Sequence, residues 1–441
     1  MRHAFRAFLA VCILALATAA PAHAKVRIDL SAPGAAPLPI AVPDFHGDTP
    51  DAARFGADLA GVIRGDLGNS TPFKVLNPAS YLQTPAQMAA TGPLFADWRS
   101  INADAVVNAV VKPMEGGKIR VEVRLFDTQT EQQLYGTALT DSAANWRYIA
   151  HRIADDIYKT LTGEPGYFFT RIVHIGKSRG VDGKSMKKLC IMDQDGANYQ
   201  CLTDGVSLVM TPRFNPNLQK VVYMSYASGL PRLYLWDINT GQQTIIGDFE
   251  GLNSTPRFNN KGNKLAMTLT AGHEGNAEIY EMDMSSRALK RLTFQRETDT
   301  SPSYSPDDSK IVFSSDRGGV SALYIMNSDG SGVKRLTYGS GRYYSPAWSP
   351  RGDLIAFVKQ YQGKFNVGVI DPEGQEERIL TDSFMDDNPT WAPNGRVLVF
   401  SRQQNRADKE RIYTIDLTGY NLRELPTPTD STDPAWSPLM R

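Results

Sequence analysis

One phrase recurs through the C-terminal half of the chain: a polar residue, a proline, any residue, an aromatic residue, then a small polar residue and usually a second proline. It reads Thr211-Pro212-Arg213-Phe214-Asn215-Pro216, Thr255-Pro256-Arg257-Phe258, Ser301-Pro302-Ser303-Tyr304-Ser305-Pro306, Ser345-Pro346-Ala347-Trp348-Ser349-Pro350, Asn388-Pro389-Thr390-Trp391-Ala392-Pro393 and Asp433-Pro434-Ala435-Trp436-Ser437-Pro438. The leading prolines lie 44, 46, 44, 43 and 45 residues apart. A fixed period of this length, filled with short apolar runs and turn residues, is what four-stranded propeller blades produce.

Each period contains the pieces of such a blade. After the phrase, a turn such as Pro350-Arg351-Gly352-Asp353 reverses the chain into an apolar run (221–224, 265–268, 311–313, 355–358 and 397–400). A third run follows at 233–236, 278–280, 323–326, 367–370 and 412–415, then a turn and an outer strand ending in motifs such as Arg335-Leu336-Thr337. The sixth phrase has nothing after it, because the sequence stops three residues past Pro438. Residues 171–175, 188–192 and 199–203 have the opposite defect, reading as a second, third and outer strand without a first. The two halves are therefore expected to combine, giving an all-β six-bladed β-propeller closed by the C-terminal strand, a closure that leaves no open sheet edge.

The region before the repeats reads as an α+β domain. Residues 38–42 form a strand, and Thr49-Pro50-Asp51 caps a helix whose inner stripe is Phe55, Leu59, Val62, Ile63 and Leu67. A short strand at 73–76 follows, then β-rich runs at 105–111, 119–126 and 134–139. Ser142 caps a second helix with Trp146, Ile149, Ala150, Ile153, Ile157 and Leu161 inward and Gly163 at its end. Asp155 and Asp156 are assigned to the solvent face of that helix. Glu164-Pro165-Gly166 breaks the helix, which sets the domains at 25–165 and 166–441.

The first 24 residues differ from all of this. Arg2 and Arg6 precede an uncharged apolar run from 7 to 20, and Ala22-His23-Ala24 fits a signal-peptidase site, so residues 1–24 read as a signal peptide cleaved between Ala24 and Lys25. The run is shorter than the roughly 20 residues that span a bilayer. Cys12 is assigned to the leader, leaving Cys190 and Cys201 in one predicted hairpin. The sequence leaves open whether they are bonded or remain two buried thiols. Lys25 to Leu30 alternates charged and apolar residues and precedes a Pro/Ala/Gly-rich stretch, so it can act as an arm that adds a strand to a partner's sheet.

Lys+Arg and Asp+Glu balance at 47 each, which gives no electrostatic case for nucleic acid or an anionic membrane surface. No hydrolase elbow, zinc-protease helix or phosphate-binding loop motif occurs. The six histidines are few and scattered, so neither metal nor cofactor is expected. Trp348, Trp391 and Trp436 share one position of the repeat and are read as inter-blade packing rather than a carbohydrate platform. Asp299, Asp386, Asp387, Asp430 and Asp433 precede the phrases and are read as solvated loop carboxylates at one channel mouth. What remains is a recognition surface. The loops entering the first strands bring Leu252, Asn253, Ser254 and Thr255, then Thr298, Asp299 and Thr300, then Tyr343 and Tyr344, then Asp386 and Asp387, then Asp430 to that mouth, beside His273 and Arg317 of neighbouring loops.

At this point the chain resembles the TolB family, the periplasmic component of the Tol–Pal system. The likeness rests on the leader, the start Lys25-Val26-Arg27-Ile28-Asp29, the α+β domain and six repeats of the Ser-Pro-x-Trp-Ser-Pro-x-Gly type. It covers nearly the whole mature chain. It implies a protein of the periplasm that is not an enzyme, is not inserted in the membrane, is monomeric outside its complexes and supports outer-membrane integrity and cell division. It implies that the lipoprotein Pal docks at the channel mouth and that TolA contacts Lys25, Val26, Arg27, Ile28 and Asp29. Asn215 and Asn259 depart from the serine of the phrase, and Asn260-Lys261 replaces its second proline. Two other readings stay open: a propeller enzyme acting on peptides or glycans, which needs a catalytic cluster in the channel, and a glycan-binding protein, for which Tyr343 and Tyr344 are the candidate pair.

Overall fold

The computed structural model describes Ile28 and residues 36–440, except 181, 182, 184, 218, 250, 252 and 271–274. Among them no helix is long and apolar enough to cross a membrane.

In the amino-terminal domain, Leu38–Ala41 pairs in parallel with Phe73–Val75 on one side and Ala105–Met114 on the other. The crossover is the helix Pro50–Gly68, whose cap Thr49 accepts the Ala52 N–H at 3.2 Å. Ala105–Met114, Lys118–Asp127 and Gln133–Ser142 form the expected meander. Leu59, Ile63 and Leu67 pack with Ile149, Ile153, Ile157 and Leu161 of the helix Trp146–Thr162, which Gly163 ends in the left-handed conformation that glycine adopts freely. The other sheet face carries two short helices absent from the sequence reading, Pro85–Thr91 and Phe95–Ser100. They bury Met88 and Trp98 against Ala41 and Val106. Thr84 and Gln87 close a capping box at the first of them, a signal visible in Thr84-Pro85-Ala86-Gln87.

The C-terminal region is a β-propeller built from four-stranded antiparallel sheets. Their first strands are Val209–Phe214, Asn253–Phe258, Asp299–Tyr304, Arg342–Trp348, Met385–Trp391 and Asp430–Trp436. The fourth and fifth sheets touch through one parallel pair, Phe365 and Met385. Asp430–Trp436 pairs antiparallel with Arg171–Arg179, setting Trp436 opposite Ile172 and Asp430 opposite Lys177. Each first strand lies against that of the next sheet, and Val209–Phe214 lies against Asp430–Trp436. Cys190 and Cys201, cross-strand partners, form a disulfide.

The two domains share one core. Tyr167 and Phe168 pack edge-on against Tyr158 of the second helix at 6.1 and 5.8 Å between ring centres, and Tyr167 meets Trp436 at 5.8 Å. Here the assignment of Asp155 and Asp156 to the solvent face is corrected. Asp155 turns into the joint and accepts the Phe168 and Phe169 N–H groups at 2.7 and 3.1 Å, while Asp156 accepts the Tyr135 hydroxyl at 2.5 Å. Helical spacing marks which residues share a face but not that a second domain covers that face. Gly166 is required here, because a Cβ on it would strike the Asp155 carboxylate. Glu164 completes the joint, accepting from Arg396 Nε at 2.7 Å and Arg351 Nη1 at 3.2 Å.

Candidate partner-binding site

The phrase is a structural device. In each of the six first strands the pairing register slips by one residue across the phrase: Ser254 faces Thr268 but Arg257 faces Ala266, and the same step recurs in all six. Proline cannot donate to a ladder, so the strand carries it in a bulge. The residue before each proline takes a left-handed φ between 46° and 56°: Thr211, Thr255, Ser301, Ser345, Asn388 and Asp433. That conformation costs a residue with a Cβ about 1–2 kcal/mol, and β-branched threonine is an unusual occupant. Such a residue before the leading proline of each first strand is a built feature of the propeller wall.

Polar contacts run around this ring. Thr255 Oγ1 is 2.7 Å from Thr268 Oγ1, which also accepts the Ser301 N–H at 3.2 Å. Ser345 Oγ donates to Asp387 Oδ1 at 3.3 Å, and Asn388 Nδ2 donates to Asp433 Oδ1 at 2.9 Å. The Thr211 hydroxyl is buried without a hydrogen-bond partner among the described residues. Burial pushes the Asp387 carboxyl up to about 6, with the Asp433 charge adding to it and the Asn388 N–H opposing it. Burial also raises Asp433 and lowers Arg213 to about 10, the Arg213 shift being opposed by the charges of Asp433 and Asp387. The wall offers fixed hydroxyls, an amide and two carboxyls whose ionisation burial opposes.

Side-chain alternation sorts the residues expected at this mouth. The third residue before each proline points into its own blade, so Asp299, Tyr343 and Asp386 are buried and are corrected from solvated loop or contact residues to internal struts. Arg317 Nη2 lies 2.7 Å from Asp299 Oδ2 with its guanidinium 5.3 and 5.1 Å from the Phe313 and Tyr324 rings, which makes Arg317 part of that strut. Arg402 Nε lies 3.4 Å from Asp386 Oδ1 in the same way. The Tyr343 hydroxyl donates to Glu377 Oε2 at 2.8 Å, which removes Tyr343 from any exposed aromatic pair. Asp433 is buried and Asp387 nearly so, in the bulge ring rather than in solvated loops. Ser254, Thr300 and Tyr344 stand one place further on, half-buried on the channel side.

Thr298, Thr300 and Tyr344 line a cleft of about 290 Å³ with Asp316, Ser321 and Arg342. Asp387 lines a second of about 230 Å³ with Lys177, Asn388, Arg402, Glu410 and Asp433. Asp430 is half-buried at the head of the C-terminal strand. Asn253 heads its own strand, Asn253–Phe258. Leu252, His273, Ala24, Lys25, Val26, Arg27 and Asp29 lie outside the described residues; Ile28 donates its N–H to Leu161 O at 2.8 Å and packs against the amino-terminal core. The sequence reading missed Thr211 and Ser345, although the residue before each leading proline marks them.

Trp391 and Trp436 both meet a neighbouring blade: Trp391 Nε1 donates to Ala347 O of the neighbouring phrase at 2.9 Å and the Trp436 backbone N–H to Thr390 Oγ1 at 3.3 Å, while Trp436 Nε1 donates to Thr170 Oγ1 beside its own sheet at 2.8 Å. With Trp348, Phe214 and Tyr304 they line the opposite mouth, a funnel of about 310 Å³. Asn259 preserves the role of the serine it replaces, accepting the Lys264 N–H at 2.9 Å as Ser305 accepts that of Lys310.

A small α/β domain welded to a β-propeller, with a rigid polar channel wall, defines a propeller recognition protein. The TolB amino-terminal domain family matches residues 26–134 and the TolB beta propeller domain family residues 158–440. Over 439 residues the chain is 47% identical to the Tol-Pal system protein TolB of Paramagnetospirillum magneticum, spanning 98% of this chain and 97% of that protein. The crystal structure of TolB from Acinetobacter baumannii superposes with a TM-score of 0.80 at 29% identity, over 91% of this chain and 97% of that one. The chain belongs to the TolB family.

Proposed function

We propose that the chain is a periplasmic, non-enzymatic component of a Tol–Pal system that holds the lipoprotein Pal at the propeller channel mouth and TolA at the arm Lys25–Leu30. Residues 1–24 are its signal peptide, 25–165 its amino-terminal domain, and 166–441 a propeller of six blades closed by the C-terminal strand. The closure reading is supported by the pairing of Asp430–Trp436 with Arg171–Arg179 and by the unbroken series of contacts between first strands. The likeness to a named Tol-Pal system protein along almost its whole length supports the role.

The observation that carries the Pal site is the ring of six left-handed residues at the channel wall. Fixed backbone and side chains lose little entropy when a protein loop inserts among them, which favours a few dominant contacts. Calorimetric titration of Pal and of TolA with the mature chain tests the reading. Deleting residues 25–30 should abolish TolA binding and leave Pal binding intact; retained TolA binding overturns the arm assignment. Deleting residues 433–441 should lower the melting temperature sharply through a newly exposed sheet edge, and an unchanged value overturns closure.

A further inference from the structure

Away from the channel, the joint between the domains encloses a second polar cluster. His151, on the helix Trp146–Thr162, is fully buried, with Nδ1 2.7 Å from Asp66 Oδ2. Gln194 Nε2 donates to the other oxygen of Asp66 at 2.7 Å, so the Asp66 carboxylate is held on both sides. His151 Nε2 is buried and has no hydrogen-bond partner among the described residues. One ring nitrogen of His151 and one carboxylate oxygen each of Asp193 and Asp195 lie within 4.8 Å of one another. Since Asp66 takes Nδ1, Nε2 is the nitrogen left to a ligand. Among the described residues Asp193 Oδ1 is likewise buried without a hydrogen-bond donor, with Arg171 Nε at 3.9 Å. The helix belongs to the amino-terminal domain, whereas Asp193-Gln194-Asp195 opens the turn after the propeller strand Ser185–Asp193.

We propose that His151, Asp193 and Asp195 form a divalent transition-metal site, of the kind that takes zinc or cobalt, bridging the two domains. An imidazole nitrogen with two carboxylate oxygens is a donor set for such ions. A carboxylate behind the imidazole, here Asp66, fixes the tautomer and directs the Nε2 lone pair at the ion. Zinc bonds to nitrogen and oxygen of about 2.0–2.2 Å keep donors within about 4.4 Å of each other, so a cluster already inside 4.8 Å needs only a small contraction. The cation now nearest both carboxylates is Arg147, which pairs with Asp195 through Nη2 and stands 3.8 Å from Asp193 Oδ2 through Nε. Its guanidinium also lies 5.3 Å from the Trp146 ring, where it can rest when an ion replaces it. Metal and Arg147 therefore compete for the same oxygens.

That competition gives the test. The tag-free mature chain, stripped with chelator and dialysed, is titrated with cobalt(II) while the visible ligand-field bands are recorded, and cobalt is then displaced with zinc in a calorimeter. One equivalent should bind with micromolar or tighter affinity. Asp195→Asn, at a half-buried position outside the sealed His151–Asp66 pair, should weaken binding at least tenfold. Arg147→Gln should tighten it several-fold, whereas a purely structural ion pair predicts no gain. Circular dichroism establishes that both variants are folded. Absence of ligand-field bands, binding unaffected by Asp195→Asn, or binding not tightened by Arg147→Gln each overturns the proposal. None of these results bears on Pal or TolA binding.

Discussion

Trp436→Ala tests whether the C-terminal strand holds both the propeller and its joint with the amino-terminal domain. Trp436 is buried against Tyr167, its indole N–H donates to Thr170 Oγ1 at 2.8 Å, and its backbone N–H donates to Thr390 Oγ1 at 3.3 Å. Truncating a buried aromatic of this size costs about 3–5 kcal/mol. The lost indole hydrogen bond adds about 1 kcal/mol, a small addition because Thr170 Oγ1 still donates to Tyr167 O at 2.6 Å. The expected loss of roughly 4–6 kcal/mol is a large part of a typical domain's stability. Trp348 supplies the control, since it occupies the same phrase position and its backbone N–H likewise donates to a neighbouring blade, to Ser303 Oγ at 3.0 Å, but it is half-buried and its indole N–H donates to Gly352 O of its own turn at 3.4 Å. Trp348→Ala should cost about half as much. Equilibrium urea unfolding followed by far-ultraviolet circular dichroism measures both without relying on tryptophan emission. Because Tyr158, Tyr167, Phe168 and Trp436 share one core, both domains should unfold in one transition. If Trp436→Ala loses no more stability than Trp348→Ala, the shared-core argument fails.

Thr255→Arg and Thr298→Arg should each weaken Pal binding by on the order of 2 kcal/mol, while Lys310→Ala, exposed at the start of the strand Lys310–Ser315 at the other end of the blade, leaves it unchanged; equal affinities for all three place the interface elsewhere. Thr255→Arg should also cost about 1 kcal/mol of stability, because it breaks the hydrogen bond to Thr268. Burial pushes the Asp155 carboxyl up to about 7 against backbone N–H bonds that oppose it. The folded chain thus holds a proton that the unfolded chain releases between about pH 4 and pH 7, and this group's contribution to stability declines as pH rises through that window, by at most roughly 4 kcal/mol. The melting temperature of Asp155→Asn relative to the parent should therefore climb between about pH 4 and pH 7 and level off above that, and a difference independent of pH refutes the assignment. Cys201→Ser, which opens the loop to Cys190, should lower stability by about 2–3 kcal/mol under non-reducing conditions and by nothing once the parent is reduced.

The repeat made the propeller legible because its signal is periodic and local: a polar residue, a proline and an aromatic return at near-constant spacing, and each return maps to the same strand. The amphipathic stripes of Pro50–Gly68 and Trp146–Thr162 were legible for the same reason. Three things were not. The helices Pro85–Thr91 and Phe95–Ser100 are too short to show a periodic stripe and announce themselves only through the Thr84 capping box and buried Trp98. The entering segments were read as loops because Thr, Ser, Asn and Asp favour turns, although there they run as strand up to a bulge. Once they are strand, alternation alone turns Asp299, Tyr343 and Asp386 inward and leaves Thr300 and Tyr344 facing out. Finally, the His151 cluster is long-range, since Asp66, Asp193 and Asp195 reach it from distant parts of the chain, while Asp155 binds N–H groups only 13 and 14 residues on but across the break at Glu164-Pro165-Gly166 that ends the helical pattern.

The same strand serves the channel and the joint. Asp433 stands in the channel ring, hydrogen-bonded to Asn388, while Trp436, three residues later, fills the core beside Tyr167. Between them the strand is pinned on both edges. It pairs with Arg171–Arg179 on one side, and on the other Thr390 Oγ1 accepts the Trp436 N–H. A segment so short and so constrained cannot shift at one end while staying fixed at the other, since close-packed interiors transmit displacement rather than absorb it. A ligand that engages Asp433 or Asn388 therefore acts on an element already committed to the packing of Tyr167 and Phe168, whose backbone N–H group in turn binds Asp155 of the second helix. That helix ends at the carbonyl of Leu161, which accepts the Ile28 N–H. The path from the channel to Ile28 thus consists of one strand, one aromatic cluster and one helix, each holding the next through a contact already named.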